Sequence, residues 1–573
     1  MSNSKTCSNN KVLLTTLHAK YSHASLALPY LAAGCSDLPG IETVIREWTV
    51  NEPRQHTLRL IMSEQADLIA FSCYIWNINM VLQLASDIKK IAPKTVIVLG
   101  GPEASFGVFA LMKHNPAIDF VVKGEGENVF RKLLEELFLH SGHGSISDIE
   151  NLFSREDDDI VAGPLSKSYV ELNDVPSPFE AGFVDMGKPL IYYETSRGCP
   201  FSCAFCLSSV EGQVRSFSMG RIESDLLWLM QRNTSQVKLV DRTFNYDARR
   251  ASQIWQFILD NNHSSHFHFE IAADLLTEEN LAVLRNVPPD TFRFEIGVQS
   301  TSQETLAQVE RKADLPRIFE NVRRLRSETS IELHLDLVAG LPGEDYNGLL
   351  KSLQQISELK PHVIQIEPLK ILKGSAMREI ANRTGYEYSD TPPYTILKTS
   401  CLSYDEICRV ETIGRLLDLF HNNGGFSTAL AFMEDRLCFC ELLDCLAQRA
   451  ENENLSGRTT RRLYELFASL AGSMLSDAER PLLHEALFFD YCRCEMPLQG
   501  KLPSFVVGRQ QQCSWPGHRD LPEGLDIPTD SRIKMFRFIF ENDYRAGSRT
   551  QGPSIVSFVY LSGEGRGLKV ITV

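Results

Sequence analysis

The sequence predicts an α/β protein with a mainly helical C-terminal region, and three observations carry that reading. Five short apolar or β-branched runs alternate with helix-periodic stretches over residues 1–140. A second series of six strand-like runs, again separated by helices, fills 186–380. Beyond that the apolar spacing becomes mostly helical. A chain of 573 residues is too long for one core. The expected division is 1–140, a linker at 141–185, 186–380, and an accessory region at 381–573.

Composition excludes several classes. Hydrophobic residues make up 43% and charged residues 23%, as in ordinary globular proteins. No apolar run reaches the length of a membrane span, and the N-terminus lacks the apolar core of a signal peptide, so a cytoplasmic protein is expected. A net charge of −15 argues against bulk nucleic-acid binding. Fourteen cysteines without an export signal point to thiols and metal sites rather than disulfides.

The first strands are read at Lys11–Thr15, Glu42–Ile45, Asp67–Ser72, Thr95–Leu99 and Phe120–Val122, with helices such as Ser22–Cys35 and Asn79–Ile91 between them. Such alternation makes a parallel doubly wound sheet, which binds ligands at the carboxyl ends of its strands. Three of the five strands end in small residues: Ser72, Gly100-Gly101 and Gly124. Turns without side chains let the backbone approach a large flat or phosphorylated ligand. The linker is loop-rich, with Ser141–Ser147, the acidic run Arg155–Asp159 and two prolines in Asn173–Pro178, and room for one short hairpin.

The most specific signal is Arg197-Gly-Cys-Pro-Phe-Ser-Cys-Ala-Phe-Cys206, which sets Cys199, Cys203 and Cys206 in a C-x₃-C-x₂-C triplet. The run from Pro189 to Gly198 reads as a strand delivering these cysteines on a loop at its C-terminal end. Three thiolates can hold three irons of a cubane cluster and leave the fourth without a protein ligand. Three free thiols or a zinc site are the alternatives. Zinc usually takes a fourth Cys or His, and none is obvious nearby.

The triplet resembles the signature of the radical S-adenosylmethionine (SAM) superfamily, including the aromatic Phe205 before the last cysteine. The six strand-like runs match that family's partial (β/α)₆ barrel. They are the cysteine-bearing strand, Val237–Val240, Phe267–Ile271, Thr291–Ile296, Ile331–Val338 and Val363–Ile366. The resemblance implies a [4Fe-4S] cluster on Cys199, Cys203 and Cys206, with SAM beside it. Polar residues at strand ends are Asp241, Glu270, Glu295, Gln299, Asp336 and Glu367. Glu295 and Gln299 fall where the family contacts SAM. Asp241 replaces a family Gly-Gly-Glu turn that holds the methionine amine. Arg311 resembles an arginine near the SAM carboxylate. Leu369–Met377 resembles a barrel-closing segment.

The small-residue strand ends, Leu99-Gly-Gly-Pro102 and Lys123-Gly-Glu-Gly-Glu127 together resemble the Rossmann-like cobalamin (B12)-binding domain that precedes many radical SAM domains. That family implies contacts from Ser72, Gly100 and Gly101 to the cofactor's nucleotide tail, and from Glu125 and Gly126 on the same face. The Asp-x-His-x-x-Gly motif that supplies a cobalt-ligating histidine elsewhere is absent. In its place stands Leu17–Ser25, with His18 and His23. Tyr74, Trp76 and Asn77 are expected to line the lower face of a cobalt without a protein imidazole. Cys7, Cys35 and Cys73 allow a rival, the methylthiotransferases, which hold a second N-terminal cluster on three cysteines.

The tail adds helices at Tyr404–His421 and Thr459–Met474 and a hairpin of Ser554–Leu561 with Lys569–Val573 turned by Gly563–Gly567. It looks like the C-terminal domain of unknown function of one subfamily. Cys438, Cys440, Cys445, Cys492 and Cys494 hint at an auxiliary cluster, but their spacings match no usual pattern, so ordinary thiols are expected. The resemblance implies methyl transfer to an unactivated carbon of a small-molecule or peptide substrate, with a flavodoxin or ferredoxin as reductant. A cobalamin-dependent rearrangement or cyclisation is the alternative, and a non-catalytic cobalamin carrier is the other class.

Overall fold

A computed structural model of the chain describes residues 10–573 apart from 141–145, 167–168, 211, 499, 507–511, 515–531, 546–548 and 564–565. The first sheet contains β1 (Asn10–His18), β2 (Ile41–Thr49), β3 (Leu68–Ser72), β4 (Val96–Gly100), β5 (Phe120–Val122), β6 (Leu152–Glu156) and β7 (Asp159–Ala162). Their order is β2-β1-β3-β4-β5-β6-β7; the first five are parallel and the last two antiparallel. β6 and β7 lie within the stretch expected as linker, and they extend this sheet. Helices cover both faces because residues alternate between them. Leu13, Ile69, Phe71 and Leu99 enter one core, and Val12, Leu14, Ala70 and Val98 the other.

The second sheet begins with β8 (Leu190–Tyr193). A two-residue antiparallel pair, β9 (Ser196–Arg197) and β10 (Arg215–Ser216), closes the loop that follows. The sheet continues with β11 (Gln236–Leu239), β12 (His266–Ile271), β13 (Phe292–Gln299), β14 (Glu332–Ala339) and β15 (Val363–Pro368). All six strands are parallel in the order β15-β14-β13-β12-β11-β8, an open six-stranded barrel. On β13, Phe292, Phe294, Ile296 and Val298 are buried. They turn toward the helical shell, where Trp255 lies 5.5 Å from Phe294 between ring centroids. Between them Glu295, Gly297 and Gln299 keep partial solvent access and face inward. The lumen is therefore polar.

The C-terminal region packs helices from Tyr404 to Cys494 into the same core as the barrel. It also carries an antiparallel sheet of Gln512–Ser514, Arg532–Asp543, Thr550–Gly563 and Arg566–Thr572. The last two strands are the expected hairpin, although residues 564–565 of its turn lie outside the described residues. The strand Arg532–Asp543 is an addition to the sequence reading. Among the described residues no helix is long and apolar enough to cross a membrane.

Candidate functional site

The cysteine loop is pinned at its middle and both ends. Gly198 takes φ +90, which only glycine adopts cheaply, and turns the chain out of β9 into Cys199. The Ala204 N–H donates to Val309 O at 2.9 Å, and its carbonyl accepts from Met377 N at 2.8 Å, so the loop is tied to the helix after β13 and to the barrel-closing segment. Cys199 and Cys203 are buried, while Cys206 and Phe205 are half-buried. Cys199 Sγ lies 3.6 Å from Thr243 Oγ1. Arg311 Nη1 donates to Cys203 Sγ at 3.6 Å, and its Nη2 donates to Gly297 O. Burial pushes the Cys203 thiol up, and Arg311 pulls it back toward the thiolate. Among the described residues no three His, Cys, Asp or Glu side chains are placed to hold a single metal ion. Three thiols on one short loop, one of them beside a guanidinium, form a donor set that fits a cubane cluster better than one zinc.

Gln299 sits at φ +70 where the β13–β14 register shifts, and its side chain folds back over Gly297. Such irregularities re-aim side chains at strand ends. Asp241 differs from the expectation of an open cofactor contact. It is buried, and its carboxylate accepts from Thr195 N at 2.9 Å, Thr195 Oγ1 at 2.5 Å and Ser196 Oγ at 2.5 Å. Burial raises its pKa against those bonds, and its acceptors are spent on the start of the cysteine loop. Glu295 faces the lumen, accepting from Lys238 Nζ at 2.9 Å, with His268 Nε2 standing 2.9 Å away. Burial pushes its pKa up, but these two partners outweigh it and hold the carboxyl well below the carboxylate range. His334 and Asp336 pair at 2.9 Å on the next strand.

A cavity of about 820 Å³ lies between the first sheet and the barrel. Ser72, Tyr74, Gly100, Gly101, Glu125 and Gly126 line one side, and Glu194, Ser196, Arg197, Gly198, Val240 and Arg242 line the other. Gly101 stands at φ +94, and a Cβ there would meet Cys73 O at 2.7 Å. Such a bare cradle, open at the strand ends, suits a large ligand approached by backbone. Two expected residues stand elsewhere. The Asn77 amide is buried and donates to Thr16 Oγ1, Leu17 O and Ser72 O, while its Oδ1 accepts from Tyr74 N at 2.7 Å. It shapes the Ser72–Tyr74 loop from behind. Trp76 is half exposed, stacked on Tyr74 at 4.4 Å, and its Nε1 donates to Leu17 O. Neither His18 nor His23 lines the cavity. Instead His18 Nε2 stands 3.5 Å from Glu47.

Sequence reasoning missed the ion pairs across this seam. Arg197 bonds Glu127 across it and Glu194 on its own side, and Arg215 bonds Glu125 across it. On the far side Glu103 of the first domain meets Lys373 at 2.7 Å and accepts from the Tyr394 hydroxyl. An arginine just before Gly-Cys and two glutamates beside a glycine turn were the available signals. The rival's cysteines do not converge: Cys35 and Cys73 enter cores on opposite faces of the sheet, and Cys7 lies outside the described residues. In the tail Cys438 and Cys440 Sγ approach to 3.4 Å, Cys492 is buried and Cys494 exposed.

Three family models match in succession: the B12 binding domain over 12–134, the radical SAM superfamily over 193–356, and a domain of unknown function, DUF4080, over 382–516. The chain is thus a radical SAM protein with an N-terminal B12-binding domain and a C-terminal domain of unknown function. Among curated proteins it is 24% identical to the 2-(S-pantetheinyl)-carbapenam-3-carboxylate methyltransferase of Streptantibioticus cattleyicolor, covering 76% of this chain and 66% of that one. It is 25% identical to the cobalamin-dependent radical SAM methyltransferase TokK of Streptomyces tokunonensis, covering 52% and 46%. The chain therefore spans between about half and two thirds of the length of these relatives. In fold it is similar to the methyltransferase TsrM of Kitasatospora setae, solved with cobalamin and a [4Fe-4S] cluster, at TM-score 0.57 and 16% identity, over 84% of this chain and 99% of that one. It is likewise similar to the enzyme OxsB, solved with aqua-cobalamin and SAM, at TM-score 0.59 and 14% identity, over 85% and 84%.

Proposed function

We propose that the chain is a cobalamin-dependent radical SAM methyltransferase acting on an unactivated carbon of a small-molecule or peptide substrate. One observation carries the reading: a single cavity is walled on one side by the glycine turns of the first sheet and on the other by the residues that lead into Cys199. Methyl transfer is the activity in the names of the carbapenam relative and TokK, which supports the same reaction here. When bound, the cluster and the corrinoid supply reductive cleavage of SAM and methyl transfer.

The protein's own part is placement and exclusion of water. Cys199, Cys203 and Cys206 would hold the cluster, and Ser72, Tyr74, Gly100, Gly101 and the Glu125-Gly126 turn would seat the corrinoid. Asp241 fixes Thr195 and Ser196 beneath the cysteine loop. Arg311 joins that loop to the β13 irregularity, where the Gln299 side chain folds back over Gly297. Glu295, locked between Lys238 and His268, stays ionised and keeps a fixed charge in the lumen. The Glu103–Lys373–Tyr394 contact ties the first domain to the residues that follow the barrel on the far side of the seam. A flavodoxin- or ferredoxin-type reductant in the cytoplasm completes the scheme.

The test is anaerobic turnover of reconstituted protein with SAM, reductant and a small-molecule extract. Equal amounts of 5′-deoxyadenosine and S-adenosylhomocysteine, with a methylated product, are expected. Deoxyadenosine alone would convert the reading to a radical rearrangement, and neither product would end it.

A further inference from the structure

Arg197 stands two residues before Cys199 on the strand that delivers the cysteine loop, yet it reaches into the other domain. Its Nη2 donates to Glu127 at 2.6 Å and to Glu194 at 2.7 Å, and Nη1 stands 3.4 Å from Glu125. The guanidinium also lies over the Tyr30 ring at 5.4 Å. Glu125 is held in turn by Arg215, whose backbone pairs with that of Arg197, and by Val170 N at 3.2 Å. These side chains are only 10–16% exposed. Two guanidiniums thus bind three carboxylates in a nearly dry seam, where loss of one partner leaves a charge uncompensated. Arg197, Gly198, Glu125, Gly126 and Glu127 all line the one cavity. A continuous ion-paired bridge therefore runs from the glycine turn of the first domain to the backbone of the cysteine loop.

We infer that Arg197 is a positioning residue that couples the two cofactor sites, so that a ligand seated against the Gly124–Glu127 turn tightens the cysteine loop, and SAM at that loop tightens the turn. The inference rests on the cobalamin-and-cluster reading. A ligand seated in the cavity would restrict this turn, where Gly124 stands at φ +77, the left-handed geometry that favours glycine, and its N–H donates to Ser105 Oγ at 3.1 Å. Arg197 passes that restriction on, because one residue separates it from Cys199. Linkage makes the effect reciprocal: each ligand must change the other's affinity by the same factor.

The experiment is a titration of SAM into full-length, cluster-reconstituted protein, with and without hydroxocobalamin. The wild type is expected to bind SAM about fivefold or more tightly when cobalamin is present. Arg197→Gln and Glu127→Gln should each bring that ratio close to one. A ratio of two affinities cancels any general loss of stability, which a purely structural role would cause. Should Arg197→Gln fail to hold iron, Glu127→Gln decides the matter, since it leaves the Arg197–Glu194 pair in place. An unchanged ratio in Glu127→Gln, or no ratio in a wild type that holds both cofactors, overturns the coupling alone. A wild type that takes up no cobalamin overturns the proposed function instead.

Discussion

Two neighbouring glycines give opposite answers to the same substitution. At Gly101 the backbone takes φ +94, and an added Cβ would stand 2.7 Å from Cys73 O and 2.9 Å from Cys73 N. Both obstacles are backbone atoms that cannot swing away. Forcing an L-residue into left-handed geometry costs about 1–2 kcal/mol, and relieving the overlap adds roughly 1–3 kcal/mol. Gly101→Ala should therefore destabilise the first domain by about 3 kcal/mol, lowering its Tm by roughly 6–12 °C for a domain of that size. At Gly100 the nearest atoms to an added Cβ belong to Val122 at 3.9 Å, an ordinary contact. Gly100→Ala should shift stability by no more than about 0.5 kcal/mol. The assay is scanning calorimetry of both variants beside the wild type, with cobalamin retention read from absorbance. Equal shifts for the two would refute the argument that the cradle is set by backbone approach at Gly101.

Three further outcomes follow from the same geometry. Cys203→Ala should lose cluster iron and the cluster's share of the visible absorbance and abolish 5′-deoxyadenosine formation, measured by iron assay, spectroscopy and chromatography. Arg311→Gln removes a positive charge 3.6 Å from Cys203 Sγ, so the cluster should become harder to reduce, its midpoint potential moving negative in an EPR-monitored titration. His421 is held below its ordinary value of 6.5 by burial, with its Asn422 contact opposing. The unfolded chain then binds more protons below that pH, so this group's share of stability is present at pH 7.5 and falls as pH drops, by at most about 1.4 kcal/mol per unit. His421→Gln should accordingly lose less Tm than the wild type between pH 7.5 and 5.5.

The parts of this molecule that are legible in sequence are those encoded locally. The cysteine triplet falls within eight consecutive positions, each small residue sits at or within two positions of the end of β3, β4 or β5, and alternation along β13 marks its two faces. The strand Arg532–Asp543 was readable in the same way, since Phe536, Phe538 and Phe540 are buried and alternate with Arg537, Ile539 and Glu541. Side-chain direction in loops is not encoded so. Asn77 lies next to cavity residues in the chain, yet its amide is claimed by Thr16 and Leu17 on a strand some sixty residues earlier. Asp241 has the position of a cofactor contact, but the hydroxyls of Thr195 and Ser196 turn it under the cysteine loop. Likewise Arg197 finds Glu125 and Glu127 about seventy residues back, and a pairing at that range leaves no periodic trace.

The measurement that bears most directly on the central claim is a crystal of the reconstituted, cobalamin-loaded protein, with anomalous maps at the iron and cobalt edges. The account expects iron within the loop of Cys199, Cys203 and Cys206, and cobalt in the cavity between the Ser72–Gly101 wall and the Arg197–Gly198 wall. Cobalt outside that cavity, or iron held by Cys438 and Cys440 in place of the triplet, would contradict it.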